Sequence, residues 1–358
     1  MIGNEKSMKI RRIGLILLFV LLAVTLTACS RAGQSNSWSG VLVTEDYVYY
    51  AGGSQVTALV ADSGNVAWQY PEKGSPQRLF YAEPVLIGEQ LIVVDYAHQL
   101  TCLNAKTGAE TWKFTQAEGR YIDSPLVVNN MILAPNTDYS LYALDLSGNL
   151  VWEFKAGHAL WARPASDGTT VYFPSMDKYL YALDAATGAL KWKVALDTTT
   201  ISRPLLENGV LYLGNLDGTF FAFNAEDGTR IWQQKVGGGV WSQPVLHEGK
   251  LYFGDQSGRI NILNSENGKS VQQIETDAAI VGTGALLDEG LVFGNEDGQV
   301  ILVGFNGERL WTRSFDGSIY ASPERLGNRL VISLNKSEKP LIALDTNGNE
   351  NWYYGKKK

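Results

Sequence analysis

Tryptophan returns along this chain about every forty residues: Trp68, Trp112, Trp152, Trp192, Trp232, Trp311 and Trp352, with Gln272 in the one slot that lacks it. A fixed period of this size marks stacked supersecondary units, none of which can bury its apolar face alone. The phrase before each tryptophan also repeats, and it is fullest in Ala182-Leu183-Asp184-Ala185-Ala186-Thr187-Gly188-Ala189-Leu190-Lys191-Trp192. Length alone, 358 residues, would allow two domains. The repeat runs almost unbroken from Trp38 to Tyr354, so one repeat-built domain is expected over residues 38–358.

The sixth repeat reads as four short strands. Trp241 to Leu246, Leu251 to Gly254, Arg259 to Leu263 and Ser270 to Ile274 are rich in branched and aromatic residues. Turns at Glu248-Gly249, Gln256-Ser257-Gly258 and Glu266-Asn267-Gly268 separate them. That pattern is a four-stranded antiparallel meander. Its first strand recurs around Pro84, Pro125, Pro164, Pro204 and Pro323, with Gly284 and Val41 in the remaining slots. Proline is tolerated there because the innermost strand of a blade is an edge. The expected fold is all-β: an eight-bladed β-propeller of four-stranded antiparallel blades. Blade one starts with its own inner strand and blade eight ends with its own outer strand, so the ring closes by packing rather than by sharing strands.

Within the repeat each residue type has a physical job. Indoles at the outer strand are expected to dock on the neighbouring blade, and the Thr-Gly or Ser-Gly before them supplies a tight turn. Ala58, Ala143, Ala182, Ala222 and Ala343 leave room for that neighbour. Cys102 occupies the same slot, which reads as a small buried hydrophobe rather than a nucleophile.

The phrase Ala-x-Asp-x-x-Thr-Gly-x-x-x-Trp resembles the repeat of pyrroloquinoline quinone (PQQ) quinoprotein propellers over nearly all of residues 38–358. Tryptophan here is followed by Gln, Lys, Glu, Thr or Tyr, not by the aspartate of WD40 blades. The resemblance implies, for the enzymes of that family, a cofactor on the propeller axis, a neighbouring-cysteine disulfide, a calcium ion and a catalytic aspartate. Cys29 and Cys102 are the only cysteines, so the disulfide is not available. Blades of about forty residues leave only about four residues per connection, too little to roof a pocket. His98, His158 and His247 lie in three different blades without paired ligand spacing; His98 is placed at a hairpin tip and His247 in a turn. Asp217-Gly218 and Asp297-Gly298 read as hairpin turns rather than calcium loops. No enzyme activity, no cofactor and no metal are expected.

The amino terminus adds an address. Lys9, Arg11 and Arg12 precede an apolar run from Ile13 to Ala28, and Leu26-Thr27-Ala28-Cys29 matches a bacterial lipobox. Residues 1–28 are therefore expected to be a lipoprotein signal peptide, Cys29 the lipidated residue, and residues 29–37 a linker. Removing residues 1–28 takes Lys6, Lys9, Arg11, Arg12 and Glu5, which leaves 26 basic and 36 acidic residues, net −10. Such a domain is a poor partner for nucleic acid, and Lys356-Lys357-Lys358 reads as a solvated tail. A compact propeller directly after a lipobox resembles the BamB family of outer-membrane assembly lipoproteins. That resemblance implies a non-enzymatic, membrane-anchored, extracytoplasmic scaffold docking on a protein partner through the segments that lead into the inner strands. The competing readings are a small-ligand or sugar sensor and a reduced PQQ-dependent dehydrogenase.

One face stands out. Three residues before the inner-strand proline come Tyr81, Ile122, Trp161, Ile201, Trp241 and Tyr320, with Trp38 and Val281 in the aligned slots. Just before the proline come Glu83, Ser124, Arg163, Arg203, Gln243, Thr283 and Ser322. Two readings stand side by side: the aromatics cap the core between blades, or they form a protein-binding face. The partner site is centred on Trp161, Arg163, Ile201, Arg203 and Trp241, a composition favoured in interface hot spots. Both arginines are expected to be exposed and to contribute little to folding.

Overall fold

Among the described residues every regular element is a β-strand, as short runs of branched and aromatic residues favour. The computed structural model describes residues 39–355. The expectations for the signal segment, Cys29, the 29–37 linker, Trp38 and the terminal lysines lie outside the described residues. The strands form eight four-stranded sheets, each a sequential antiparallel meander. Blade one comprises Gly40–Val43, Tyr47–Gly52, Gln55–Val60 and Val66–Tyr70, and blade eight comprises Glu324–Leu326, Arg329–Ser333, Leu341–Asp345 and Glu350–Tyr354. The molecule is an eight-bladed β-propeller.

In blade six the strands are Val245–His247, Lys250–Gly254, Arg259–Asn264 and Ser270–Glu275. The inner strand is thus shorter than Trp241–Leu246. Pro244 cannot donate to a ladder, and the residues before it bond to other blades instead. Val240 N–H donates to Asn215 O at 3.0 Å, and Gln243 N–H to Thr283 Oγ1 at 3.1 Å. His247 also differs from expectation: it ends the inner strand and its ring stacks on Phe305, 3.9 Å between centroids. His98 sits exposed in the hairpin with a positive φ of 67°. Cys102 is fully buried, and burial pushes its thiol pKa up.

The core lies between blades, because each sheet has two apolar faces and must cover both. Tyr212, Phe220 and Ala222 of blade five pack with Leu251, Phe253 and Leu263 of blade six. At the ring closure Val41, Val48, Tyr50 and Leu59 meet Val331, Leu341, Ala343 and Trp352.

The repeated phrase explains each joint atom by atom. Ala182 pairs across the ladder with Trp192 and is fully buried. Asp184 Oδ1 accepts from the N–H groups of Ala186 and Thr187 at 3.1 and 2.9 Å and from Thr187 Oγ1 at 2.8 Å, which shapes the turn. Gly188 follows with φ 71°. A Cβ there would lie 2.7 Å from Cε3 of Trp152, so the preceding blade's indole rests on the bare glycine. Trp192 in turn covers Gly228 of the next blade and donates from Nε1 to Ala225 O at 3.2 Å.

The same bond recurs from Trp68 to Ala105 O, Trp112 to Leu146 O, Trp152 to Ala185 O, Trp232 to Ser265 O and Trp311 to Thr346 O. Trp352 completes the circle by donating to Ala61 O of blade one at 2.9 Å. In the slot without tryptophan, Gln272 Nε2 donates to Gly307 O at 3.2 Å, keeping the hydrogen bond and giving up the aromatic area. Closure is reinforced by Ser333 Oγ donating to Ser39 O and by an Arg329–Asp62 ion pair at 3.0 Å.

A second device carries each blade into the next. Asp95, Asn136, Asn215, Asp255 and Asn295 are fully buried at the turn between second and third strands. Asn215 Oδ1, for example, accepts from Thr219 N–H within its own hairpin. The backbone carbonyls of Asn136, Asn215, Asp255 and Asn295 accept from Leu160, Val240, Ile280 and Ile319, just before the following inner strand. Burying these groups costs little because they are satisfied.

Trp192→Ala should destabilise the fold by about 3–5 kcal/mol in chemical denaturation, from lost area and cavity. Gly188→Ala should cost about 1–3 kcal/mol although it adds only a methyl, since that methyl meets an indole at a positive φ. Leu190→Ala, on a side chain 49% exposed, should cost under about 0.5 kcal/mol.

Candidate functional site: an aromatic funnel over an axial ion-pair network

Eight inner strands around one axis bring positions forty residues apart in sequence to a common mouth. A funnel of about 730 Å³, counting the part open to solvent, is lined from every blade. Trp161, Ile201, Trp241, Val281 and Tyr320 contribute its apolar wall, and Glu83, Asp123, Arg203 and Glu324 its charges. Tyr81, Ile122 and Val281 are nearly covered, at 9, 7 and 8% exposure, whereas Trp161, Ile201, Trp241 and Tyr320 are half-buried. The ring is therefore split: Tyr81, Ile122 and Val281 close the core, and the other four stand open to the funnel.

The segments before the prolines are tied to one another around the mouth. Gly40 N–H donates to Tyr81 O, Arg163 N–H to Asp123 Oδ2, Ser202 Oγ to Ser242 O, and Thr283 N–H to Ser322 Oγ, at 2.7, 2.8, 2.8 and 3.0 Å. Each bond joins equivalent or nearly equivalent positions of adjacent blades, so the wall residues are fixed by neighbouring backbone rather than by free loops.

Arg203 corrects the expectation of exposed arginines. From blade five it reaches into the channel and forms a two-pronged bond with Asp123 of blade three, Nε to Oδ2 at 2.9 Å and Nη2 to Oδ1 at 2.5 Å. Its Nη1 meets Glu83 Oε2 of blade two at 3.2 Å. Sequence separations of 80 and 120 residues concealed these partners. Burial disfavours its charge, but Asp123 and Glu83 outweigh this and raise the Arg203 pKa. Burial likewise opposes the Asp123 charge, and Arg203 overrides it to hold that carboxyl below the usual range. The stability from this pair is present above the ordinary aspartate pKa and is lost as pH falls through the depressed one.

Arg163 sits differently. Its nearest carboxylate oxygen is Glu83 Oε1 at 3.9 Å, and burial together with repulsion from Arg203 lowers its pKa. It lines an adjoining, more open stretch of the channel together with Glu83, Arg203 and Glu324. The five residues of the sequence-defined patch thus split. Trp161, Ile201 and Trp241 form wall, Arg203 lines both the funnel and the adjoining stretch, and Arg163 lines the adjoining stretch alone.

Glu324, the first residue of the innermost strand of blade eight, carried no sequence signal. No hydrogen bond or ion pair engages its carboxyl among the described residues. Burial, then repulsion from Glu83, raises its pKa to about 8 against the partial offset of Arg203 and Arg163.

The fold family raises the question of a quinone and a calcium ion on the axis, and the residues do not fit them. Cys102, the one described cysteine, is fully buried between blades. The carboxylates of Asp123 and Glu83 are engaged by Arg203. Among the described residues no group of three or more His, Cys, Asp or Glu is arranged to hold a metal.

A raised carboxyl pKa means that the native state keeps a proton the unfolded chain releases, so this group's contribution falls as pH rises from about 4.5 toward 8. Glu324→Gln should therefore be nearly neutral at pH 5. It should be stabilising by on the order of 2 kcal/mol at pH 8.5, after allowance for solvent screening in the open funnel. Arg203→Glu should cost about 3–5 kcal/mol, because it strands Asp123 and Glu83 beside a third carboxylate. Denaturation midpoints across pH check both.

The sequence matches the family described as outer membrane protein assembly factor BamB in two overlapping segments, residues 52–160 and 142–288. No curated protein matches it. Among solved structures it is similar to BamB from Moraxella catarrhalis, at 18% identity and TM-score 0.72, over 82% of this chain and 92% of that one. It is also similar to the computationally designed Ika8 protein, at 12% identity and TM-score 0.75, over 90 and 98% of the two chains. A europium-containing methanol dehydrogenase matches at 13% identity and TM-score 0.73, over 86 and 82%. At these identities the structures speak for the fold alone. The family match covers well over half of the chain, and the chain belongs to the PQQ-like propeller family of the outer membrane assembly factor BamB.

Proposed function

We propose that this protein is a non-enzymatic scaffold, anchored to a membrane through lipid on Cys29, that docks a protein partner in the cell envelope by its funnel face. By analogy with the family description, that partner belongs to an outer-membrane protein assembly complex. The observation that carries the reading is the half-buried wall of Trp161, Ile201 and Trp241, its segments tied by hydrogen bonds between blades and backed by the Arg203–Asp123 pair. Rigid aromatics beside desolvated charge are what interface hot spots require, and a wall that is already ordered has little entropy to lose on binding. The axis beneath is crossed by the chain's own ion pairs, which supports scaffolding over quinone chemistry.

Reversing both arginines would not test this surface cleanly, because Arg203 also holds the channel together. The better variant is Trp161→Ala with Trp241→Ala. Crosslinking from native membranes, followed by mass spectrometric identification, should recover one envelope protein with wild type and at least about 30-fold less with the variant. Equal recovery by a folded variant would move the docking site elsewhere. Fatty-acid labelling should be seen with wild type and abolished by Cys29→Ala. Added PQQ and calcium should leave dye reduction at background, and turnover of an alcohol or sugar would restore the dehydrogenase reading.

A further inference from the structure

We propose that the axial funnel is a binding site for a protonated amine or guanidinium group, held between its aromatic walls with Glu324 as the counter-ion. The inference stands on the funnel's geometry and charge count and does not depend on the docking reading. Trp161, Trp241 and Tyr320 stand on successive sides of one cavity. Aromatic walls attract cations through their quadrupoles, most strongly where water is partly excluded.

Charge selects the sign of the guest. Three carboxyl groups, Glu83, Asp123 and Glu324, line the funnel against one arginine, Arg203. Arg203 is taken up by Asp123 and Glu83. In the adjoining stretch Arg163 has its carboxylate partner in Glu83 at 3.9 Å, and Arg325 is paired with Asp288 at 3.0 Å. Glu324 is left without a direct cation, although it lines both the funnel and the adjoining stretch. An incoming cation can take Glu324 as its counter-ion, whereas an anion finds the funnel's one arginine already engaged.

Proton balance gives the proposal its signature. Glu83, Arg163 and Arg203 are the charged groups that act on Glu324, and its pKa of about 8 keeps it protonated at neutral pH. An alkylammonium ion has a pKa above 10, so it binds with its charge while Glu324 gives up its proton to solvent. Affinity should therefore rise with pH until Glu324 is ionised in the free protein.

The test is calorimetric titration of the full, detergent-solubilised protein with butylammonium, and with butanol and butyrate as neutral and anionic probes of similar size. Saturable butylammonium binding is expected, at least tenfold tighter than butanol, with no butyrate binding. Affinity should strengthen about tenfold from pH 6.5 to 8.5, with up to one proton released per cation at the lower pH. Glu324→Gln should weaken butylammonium at least tenfold and flatten the pH dependence, while its melting temperature shows that the fold is intact. A capped Gly-Lys-Gly peptide separates the two sources of such a group. Tighter binding than butylammonium points to a lysine carried on a polypeptide, and weaker binding to a free small amine. No measurable butylammonium binding, equal binding of butanol or butyrate, or unchanged affinity in folded Glu324→Gln overturns the proposal.

Discussion

Every joint between blades but that of Gln272 rests on an indole laid over a glycine that has no room for a side chain, with the indole N–H bonded to a carbonyl of the same turn. That contact makes a circle out of eight sheets. A blade of four short strands has two apolar faces, and neither is covered within the blade. The tryptophan of one blade covers the turn of the next, and Trp352 returns the arrangement to blade one through Ala61. Since the contact needs a bare glycine, a positive φ and an indole at a fixed register, it sets both blade spacing and blade order. Gln272 shows which part can be relaxed. Its amide keeps the bond to Gly307 while the neighbouring aliphatic and aromatic core, with Tyr252, Phe293 and Ile301, supplies the area.

The axial site is a consequence of that closure. Once eight equivalent segments face one axis, residues separated by multiples of forty become neighbours, and their chemistry can differ blade by blade without disturbing the joints. Blades two, three and five use the freedom for Glu83, Asp123 and Arg203, which bond across the channel. Blades four, six and eight place Trp161, Trp241 and Tyr320 on the wall. The outer ring repeats and the inner ring varies, which is the division of labour a scaffold with a specific face requires.

Legibility in the sequence followed the same division. The Ala182–Trp192 phrase was enough to read the blade, its turn and its tryptophan, because each residue in it acts through a contact that recurs at a constant offset. The inner strand of blade six read too long because nothing local to Trp241-Ser242-Gln243 reveals that their backbone bonds go to other blades. Arg203 read as a surface residue for a related reason. Its following Pro204 recurs in most other blades, and its partners come from blades three and two, far away in sequence. Glu324 gave no signal at all, since it follows its proline whereas the patterned polar residues precede theirs.

The funnel's charge arrangement is informative because it is not the most stable one available. A glutamine at position 324 would remove the repulsion from Glu83 and need no counter-ion, and it would fit the same space. A half-buried carboxyl raised to about 8 is thus a local loss of stability, unlike Asn136 and Asn295 between the blades, whose side chains and backbone are both bonded. Strained or uncompensated groups concentrate where a structure meets another molecule. Here such a group falls where segments of all eight blades converge, beside the aromatic wall of Trp161, Trp241 and Tyr320. The same convergence that closes the ring gathers an acid, a paired arginine and three aromatics within one cavity, and that cavity is where recognition has the least competition from folding.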